Sequence, residues 1–127
     1  MKDLIVKATE STPEVNFSYK QNKLIIKGES YPDNVAKFYT PILSWIRNYL
    51  NQVKNEHTSF DIEIIYFNSS TSKVFMDIFD MFNTATNKGK DITVNWIYDE
   101  ENEGILEYGE EFKDEFESLI FNLKVKK

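Results

Sequence analysis

Apolar residues along this chain fall into two rhythms, one of period two and one near 3.6, which alternate from end to end. Leu4-Ile5-Val6 is a short strand candidate. Val15, Phe17 and Tyr19 alternate with polar residues, and Lys23-Leu24-Ile25-Ile26-Lys27 returns after Gln21-Asn22. Residues 14 to 29 therefore read as a β-hairpin closed by a two-residue turn. Gly28-Glu29-Ser30-Tyr31-Pro32 breaks the strand, and a helix follows with Pro32 or Asp33 near its start. Val35, Phe38, Tyr39, Ile42, Trp45, Ile46, Tyr49, Leu50 and Val53 fall within one arc of about 120° at 100° per residue. The phase holds across Pro41, so the pattern predicts one helix kinked there, or two helices with Thr40 capping the second.

Asn51 to Ser59 is a polar connection. Asp61 to Phe67 follows as a strand and ends in four consecutive apolar residues, a run that fits an inner strand covered on both faces. From Thr71 onward Val74, Phe75, Ile78, Phe79, Met81 and Phe82 form a helical stripe, which Lys88-Gly89-Lys90 ends. Asp91 to Asp99 is another strand, with Ile92, Val94, Trp96 and Tyr98 on one face and Thr93, Asn95 and Ile97 on the other. A third helix is predicted from about Glu101 to Ser118, using Ile105, Tyr108, Gly109, Phe112 and Phe116. Leu119 to Val125 reads as a last, edge strand whose lysines discourage further pairing. Strand–helix–strand alternation implies right-handed crossovers and a partly parallel sheet. The expected fold is α/β, one domain over residues 1–127, with a mixed β-sheet, an N-terminal hairpin and about three helices.

Composition narrows the function. The chain has 127 residues and no Cys, which excludes disulfides, thiolate metal sites and a Cys nucleophile. Ten Phe, seven Tyr and two Trp promise a strongly aromatic core. The formal charge of −6 is the reverse of a nucleic-acid footprint and argues equally against anionic lipid. No segment approaches the roughly 20 apolar residues of a membrane span, and no signal segment is visible at the N-terminus. A cytoplasmic protein with no membrane or nucleic-acid partner is expected.

Catalytic chemistry finds little support. His57 is the only His, it lies in the polar connection, and no G-x-S-x-G elbow accompanies it. Asp99-Glu100-Glu101, Glu103, Glu107, Glu110 and Glu111 lack calcium-loop spacing and read as a solvated helix face with acids near its N-terminus. Four glycines without a G-x-x-x-x-G-K pattern give no nucleotide loop. Neither a metal nor a cofactor is implied.

One segment stands apart. Asn68-Ser69-Ser70-Thr71-Ser72-Lys73 joins the buried strand to the central helix, so four hydroxyls sit where a helix has unpartnered amides and the positive end of its dipole. An ordinary N-cap explains one such hydroxyl, not four. Lys73 lies one turn in, where it can pair with a phosphate, and the helical wheel places Met76 on the outer side near Ser69 and Ser72 as an anchor for a partner.

These residues complete a resemblance. Ser11-Thr12-Pro13, Gly28-Glu29-Ser30-Tyr31-Pro32-Asp33-Asn34, Tyr66 to Lys73 with Met76-Asp77-Ile78-Phe79-Asp80, and Trp96-Ile97-Tyr98-Asp99 run in the order found in bacterial SiaC-type regulatory phosphoproteins. The chain resembles that family, whose fold is similar to the STAS class of anti-sigma-factor antagonists. The resemblance implies a partner switch. A dedicated serine/threonine kinase modifies the hydroxyl after the strand's Asn, and a PP2C-type phosphatase removes the phosphate. The unmodified form binds and activates a diguanylate cyclase, tying the switch to cyclic di-GMP and biofilm behaviour. Here the implied acceptor is Ser69, where the family commonly has Thr. Ser70 is the second choice, and Asn68, Ser70, Thr71, Ser72, Lys73 and Met76 form the phosphate-neighbouring and partner-binding set. An unmodified interaction scaffold of the same fold is the alternative, and a hydrolase pairing Ser69 or Ser70 with His57 comes third.

Overall fold

The computed structural model describes residues 1–126. Strands β1 (Leu4–Val6), β2 (Glu14–Ser18) and β3 (Lys23–Ser30) precede helix α1 (Val35–Gln52). Strand β4 (Thr58–Phe67), helix α2 (Ser69–Asn87), strand β5 (Ile92–Tyr98), helix α3 (Glu103–Glu115) and strand β6 (Ile120–Val125) follow. The sheet order is β1-β2-β3-β4-β5-β6. The first three strands pair antiparallel, and β3 through β6 run parallel. The α/β class, mixed sheet, N-terminal hairpin and three helices are those expected from the pattern.

Parallel strands that advance steadily in one direction, joined by right-handed crossovers, place every crossover helix on the same side. The burial alternation agrees. Leu24 and Ile26, Phe60 and Ile62, Val94 and Trp96, and Phe121 all point into one core with Phe75, Phe79 and Phe82 of α2. That core is dense in aromatic edge-to-face contacts, such as Phe79 with Phe112 at 5.1 Å and Trp96 with Phe112 at 5.4 Å.

The second sheet face has no helices, which corrects the expectation that β4 is covered on both faces. A polar ladder occupies that face instead. Asn95 donates to Asp61 at 2.7 Å, and Asn122 donates to Asn95 at 3.2 Å, across three parallel strands. Buried polar groups satisfied in this way cost little and keep the open face from seeking another sheet.

Four local details refine these expectations. The hairpin turn spans residues 19–22 rather than two, because only Asn22 takes a left-handed φ (55°), whereas a two-residue I′ turn needs two such residues. Gly28 does not break β3. It adopts φ 127° within the strand, and the register against β4 shifts between Gly28 and Glu29. Helix α1 runs unbroken through Pro41, and its N-cap is Asn34, whose side chain accepts from Lys37 N–H. Strand β4 begins at Thr58, so the polar connection is shorter than predicted.

Candidate functional site

The hydroxyl segment lies where β4 gives way to α2. Asn68 has extended backbone angles (φ −91°, ψ 175°), and its side chain accepts from the Thr71 amide at 3.0 Å, capping the helix. Ser72 N–H already reaches the Asn68 carbonyl. The amides of Ser69 and Ser70, the first two helical positions, have no such acceptor among the described residues. Both side chains are exposed.

Thr71 behaves differently and corrects its place in the accessible set. It is fully buried (0 % exposed). Its hydroxyl donates to the Ser30 carbonyl at 3.1 Å and contacts Ser30 Oγ at 3.0 Å, while Ser30 Oγ lies 2.6 Å from the Tyr39 hydroxyl. One direction satisfies all three hydroxyls: Tyr39 to Ser30, Ser30 to Thr71, Thr71 to the Ser30 carbonyl. The Asn68 amide also donates to that carbonyl, at 3.2 Å. The end of β3, α1 and the opening turn of α2 are thereby joined. Burial pushes the Tyr39 phenol up to about 12, against a smaller lowering by the Ser30 hydrogen bond.

The other predicted members divide between surface and core. Lys73 is exposed, in no salt bridge among the described residues, and one turn beyond Ser69. Ser72 is half-buried. Met76 is also half-buried and packs against the core, so it is not the free outward anchor that the helical wheel predicted.

The exposed apolar side chains near this turn are instead ones the pattern missed. Gly28 faces Ile64 and Glu29 faces Tyr66, so Ile65 has no partner on β3. This bulge resets the alternation. Ile64 and Phe67 are buried, whereas Ile65 and Tyr66 between them are 59 % and 52 % exposed. The Tyr66 ring meets that of Tyr31 at 5.8 Å. Across the end of β4, Tyr108 of α3, 44 % exposed, rests on Phe67 at 4.8 Å. Pairing of β4 with β5 ends at Ile62–Trp96. The strands then part around a groove of about 400 Å³ lined by Ile65, Ile97, Tyr98 and Asn102 together with the charged Glu63, Asp99, Glu101 and Lys126. The Asn102 side chain donates to the Ile65 carbonyl at 3.1 Å. Ile64-Ile65-Tyr66-Phe67 becomes a signal only once the sheet is known to be one-sided, where an unbroken apolar run demands a bulge or an exposed patch.

His57 lies before β4 and pairs with Asp91 at 2.9 Å. The serines lie beyond the other end of this ten-residue strand, roughly 30 Å away at strand rise. The hydrolase pairing is not assembled. Among the described residues no three His, Asp or Glu side chains are grouped to hold a metal ion, and no helix is long and apolar enough to cross a membrane.

Comparison with known proteins agrees with this geometry. Residues 6–126 match the family model of the SiaC family regulatory phosphoproteins. An uncharacterized protein of Pseudomonas aeruginosa (strain UCBPP-PA14) is 30% identical over 115 residues, covering 91% of this chain and 90% of its own. The crystal structure of apo-SiaC from Pseudomonas aeruginosa superposes with a TM-score of 0.88 at 28% identity, over 100% of both chains. SiaC as the activator in a complex with the diguanylate cyclase SiaD, from the same organism, superposes at 0.92 and 28% identity, over 98% of this chain and 100% of that one.

Proposed function

The chain belongs to the SiaC family of regulatory phosphoproteins, and from that premise we propose a phosphorylation-controlled partner switch centred on Ser69. The unmodified protein binds and activates a diguanylate cyclase in the cytoplasm. A serine/threonine kinase modifies Ser69, with Ser70 as second choice, and releases the effector. A PP2C-type phosphatase restores binding. The protein acts as a regulator rather than an enzyme.

The observation that carries this reading is the division of the hydroxyls. Ser69 and Ser70 are exposed beside the Ile65–Tyr66 surface, while Thr71 is consumed inside. Support for the cyclase comes from the Pseudomonas aeruginosa SiaC–SiaD complex.

Energetics favour control at an interface over control of the fold. A phosphate adds about −1.5 to −2 charge. The helix end favours it by roughly 0.3–1 kcal/mol, and the net −6 of the chain opposes it weakly through screening solvent. Covering the same group with a partner that supplies no cation costs several kcal/mol. About 4 kcal/mol weakens binding roughly a thousandfold.

Intact mass of the protein from its native cells tests this. Wild type gains about 80 Da per phosphate, phosphatase treatment removes it, and Ser69→Ala prevents it. Uptake by Ser69→Ala equal to wild type moves the acceptor elsewhere. No mass shift under any growth condition leaves an unmodified scaffold.

A further inference from the structure

Charge is partitioned along this chain in a way the total conceals. Residues 99–117 hold ten acids and one lysine, a net −9, so the remainder of a −6 chain carries +3. All ten acids are exposed, and none is in a salt bridge among the described residues. They run from the β5–α3 loop along α3 and, at Glu117, just beyond it; Asp99 and Glu101 line the groove beside Ile65 and form one flank of the Ile65–Tyr66–Tyr108 surface. On the other flank, Glu29 pairs with Tyr66 across the sheet. Glu10 and Glu29 both face Tyr31, whose phenol is raised first by desolvation and then by these two charges.

An apolar patch between two flanks of net negative charge, with Lys126 the one cation among the described residues lining the groove beside Asp99, selects its occupant. A second copy of this chain in two-fold contact would set acid against acid. Nucleic acid and anionic membrane are repelled by sign. A protein surface with an apolar anchor ringed by Arg and Lys meets both demands, since rim charges of opposite sign accelerate encounter while the apolar centre supplies the contact.

We propose that the Ile65–Tyr66–Tyr108 surface docks a basic-rimmed, apolar-anchored segment of a protein partner, drawn in by the acids of residues 99–117. The proposal rests on the partner-switch reading and assigns that partner its chemistry. It also separates two roles of charge. The acids lie at the rim, where the partner's cations stay hydrated. A phosphate on Ser69 lies three residues from Tyr66, within about 10 Å by chain length, on the apolar side of the interface.

Site-specific photocrosslinking in native cells tests it, with p-benzoylphenylalanine placed at position 66 or 108 of the full chain and, as controls, at Asn16 or Lys27 on the open sheet face. Adducts are expected from positions 66 and 108 and not from the controls. The captured peptide should be attached through an apolar residue within a segment of net positive charge. Glu107→Lys with Glu111→Lys, in protein shown folded by circular dichroism, should lower the position-66 yield about tenfold. A neutral or acidic captured segment, a crosslink to a second copy of this chain, equal yields at the controls, no adduct at either position, or indifference to the charge reversal overturns the proposal. Adding Ser69→Ala reads the switch separately. Yields unchanged by Ser69→Ala across growth conditions would remove the switch and leave the docking chemistry standing, whereas a growth-dependent adduct on an acidic segment would do the reverse.

Discussion

Gly109→Ala sets two effects against each other, and their sizes decide the sign. At an interior helix position alanine is favoured over glycine by about 1 kcal/mol, so propensity alone predicts stabilisation. The structure predicts the opposite. A Cβ at Gly109 would lie 2.4 Å from Trp96 Cδ1, 2.7 Å from Trp96 Nε1 and 2.9 Å from a Leu123 methyl. Ordinary carbon contacts are about 3.5–4.0 Å, so α3 must lift by roughly 1 Å or the indole must turn. The indole has nowhere to go, being 1 % exposed and in ring contact with Phe67, Phe75, Phe79, Phe112 and Phe121. Its N–H donates to the Ile105 carbonyl at 2.9 Å, and lifting the helix breaks that bond. Overpacking costs about 1–3 kcal/mol and a stranded buried donor about 1–3 kcal/mol. After the propensity gain the net is a destabilisation of about 3 kcal/mol, or roughly 10 °C in Tm for a domain of this size. Gly104→Ala is the internal control on the same helix. Its Cβ would meet only Asn102 Oδ1 at 3.9 Å, so propensity should prevail and the protein should gain a few tenths of a kcal/mol. Urea unfolding followed by tryptophan fluorescence and far-ultraviolet circular dichroism measures both. If the two variants shift stability in the same favourable direction, the close seating of α3 on Trp96 is wrong, and with it the placement of Tyr108.

The buried hydroxyls and the cap give three further tests. Thr71→Val keeps shape but removes the donor to the Ser30 carbonyl, and should cost about 1–2 kcal/mol in urea unfolding while leaving phosphate uptake at Ser69 intact. Loss of uptake in a folded Thr71→Val protein would contradict the division of roles. Tyr39, at about 12 when folded against 10.0 when unfolded, contributes stability that is complete below pH 10 and lost as the pH rises toward 12, by up to about 3 kcal/mol. Tyr39→Phe should flatten that alkaline decline in a series of denaturation curves, at about 1 kcal/mol cost near neutrality. Asn68→Ala removes the cap on the Thr71 amide and should lower stability by about 1 kcal/mol, with faster hydrogen exchange confined to the first turn of α2.

Periodicity made most of the fold legible because most of its elements obey a single physical rule each. Nine apolar positions in phase from Val35 to Val53 outweighed one proline, and α1 continues without a break past Pro41. Three parallel crossovers advancing one way left one face bare, which the residue pattern of β4 alone could not reveal. An inner strand with two covered faces and a bulged strand with one bare face both produce Ile64-Ile65-Tyr66-Phe67. The register shift that distinguishes them arises between Gly28 and Glu29, nearly forty residues earlier in sequence. Tyr108 was misplaced for a related reason. It shares the helical arc of Ile105 and Phe112, but α3 sits so close over Trp96, through Gly109, that the buried arc narrows and Tyr108 is left at its margin. Helical spacing likewise cannot tell Thr71 from its neighbours, because what buries it is Ser30, on a strand 41 residues away.

That last contact explains how four adjacent hydroxyls come to have unequal fates. A helix entering beside a strand end turns one residue in three or four inward, and here the third helical position faces the carbonyl of Ser30. A hydroxyl at that position gives this carbonyl, which already accepts from the Asn68 amide, a second donor where water cannot reach. The first two positions face outward, where their hydroxyls and amides find no partner among the described residues. Fixing Thr71 therefore fixes the direction in which Ser69 and Ser70 project, at the margin of the surface that the Ile65 bulge exposes. Under the proposed switch, a phosphate on this turn would act without any change of fold, because the partner's contact and the added charge would compete for the same ground. The opposite design, a loosely held turn that reorders on modification, would need the Ser30–Thr71–Tyr39 chain to break, at a cost of several kcal/mol against the roughly 0.3–1 kcal/mol that the helix end returns.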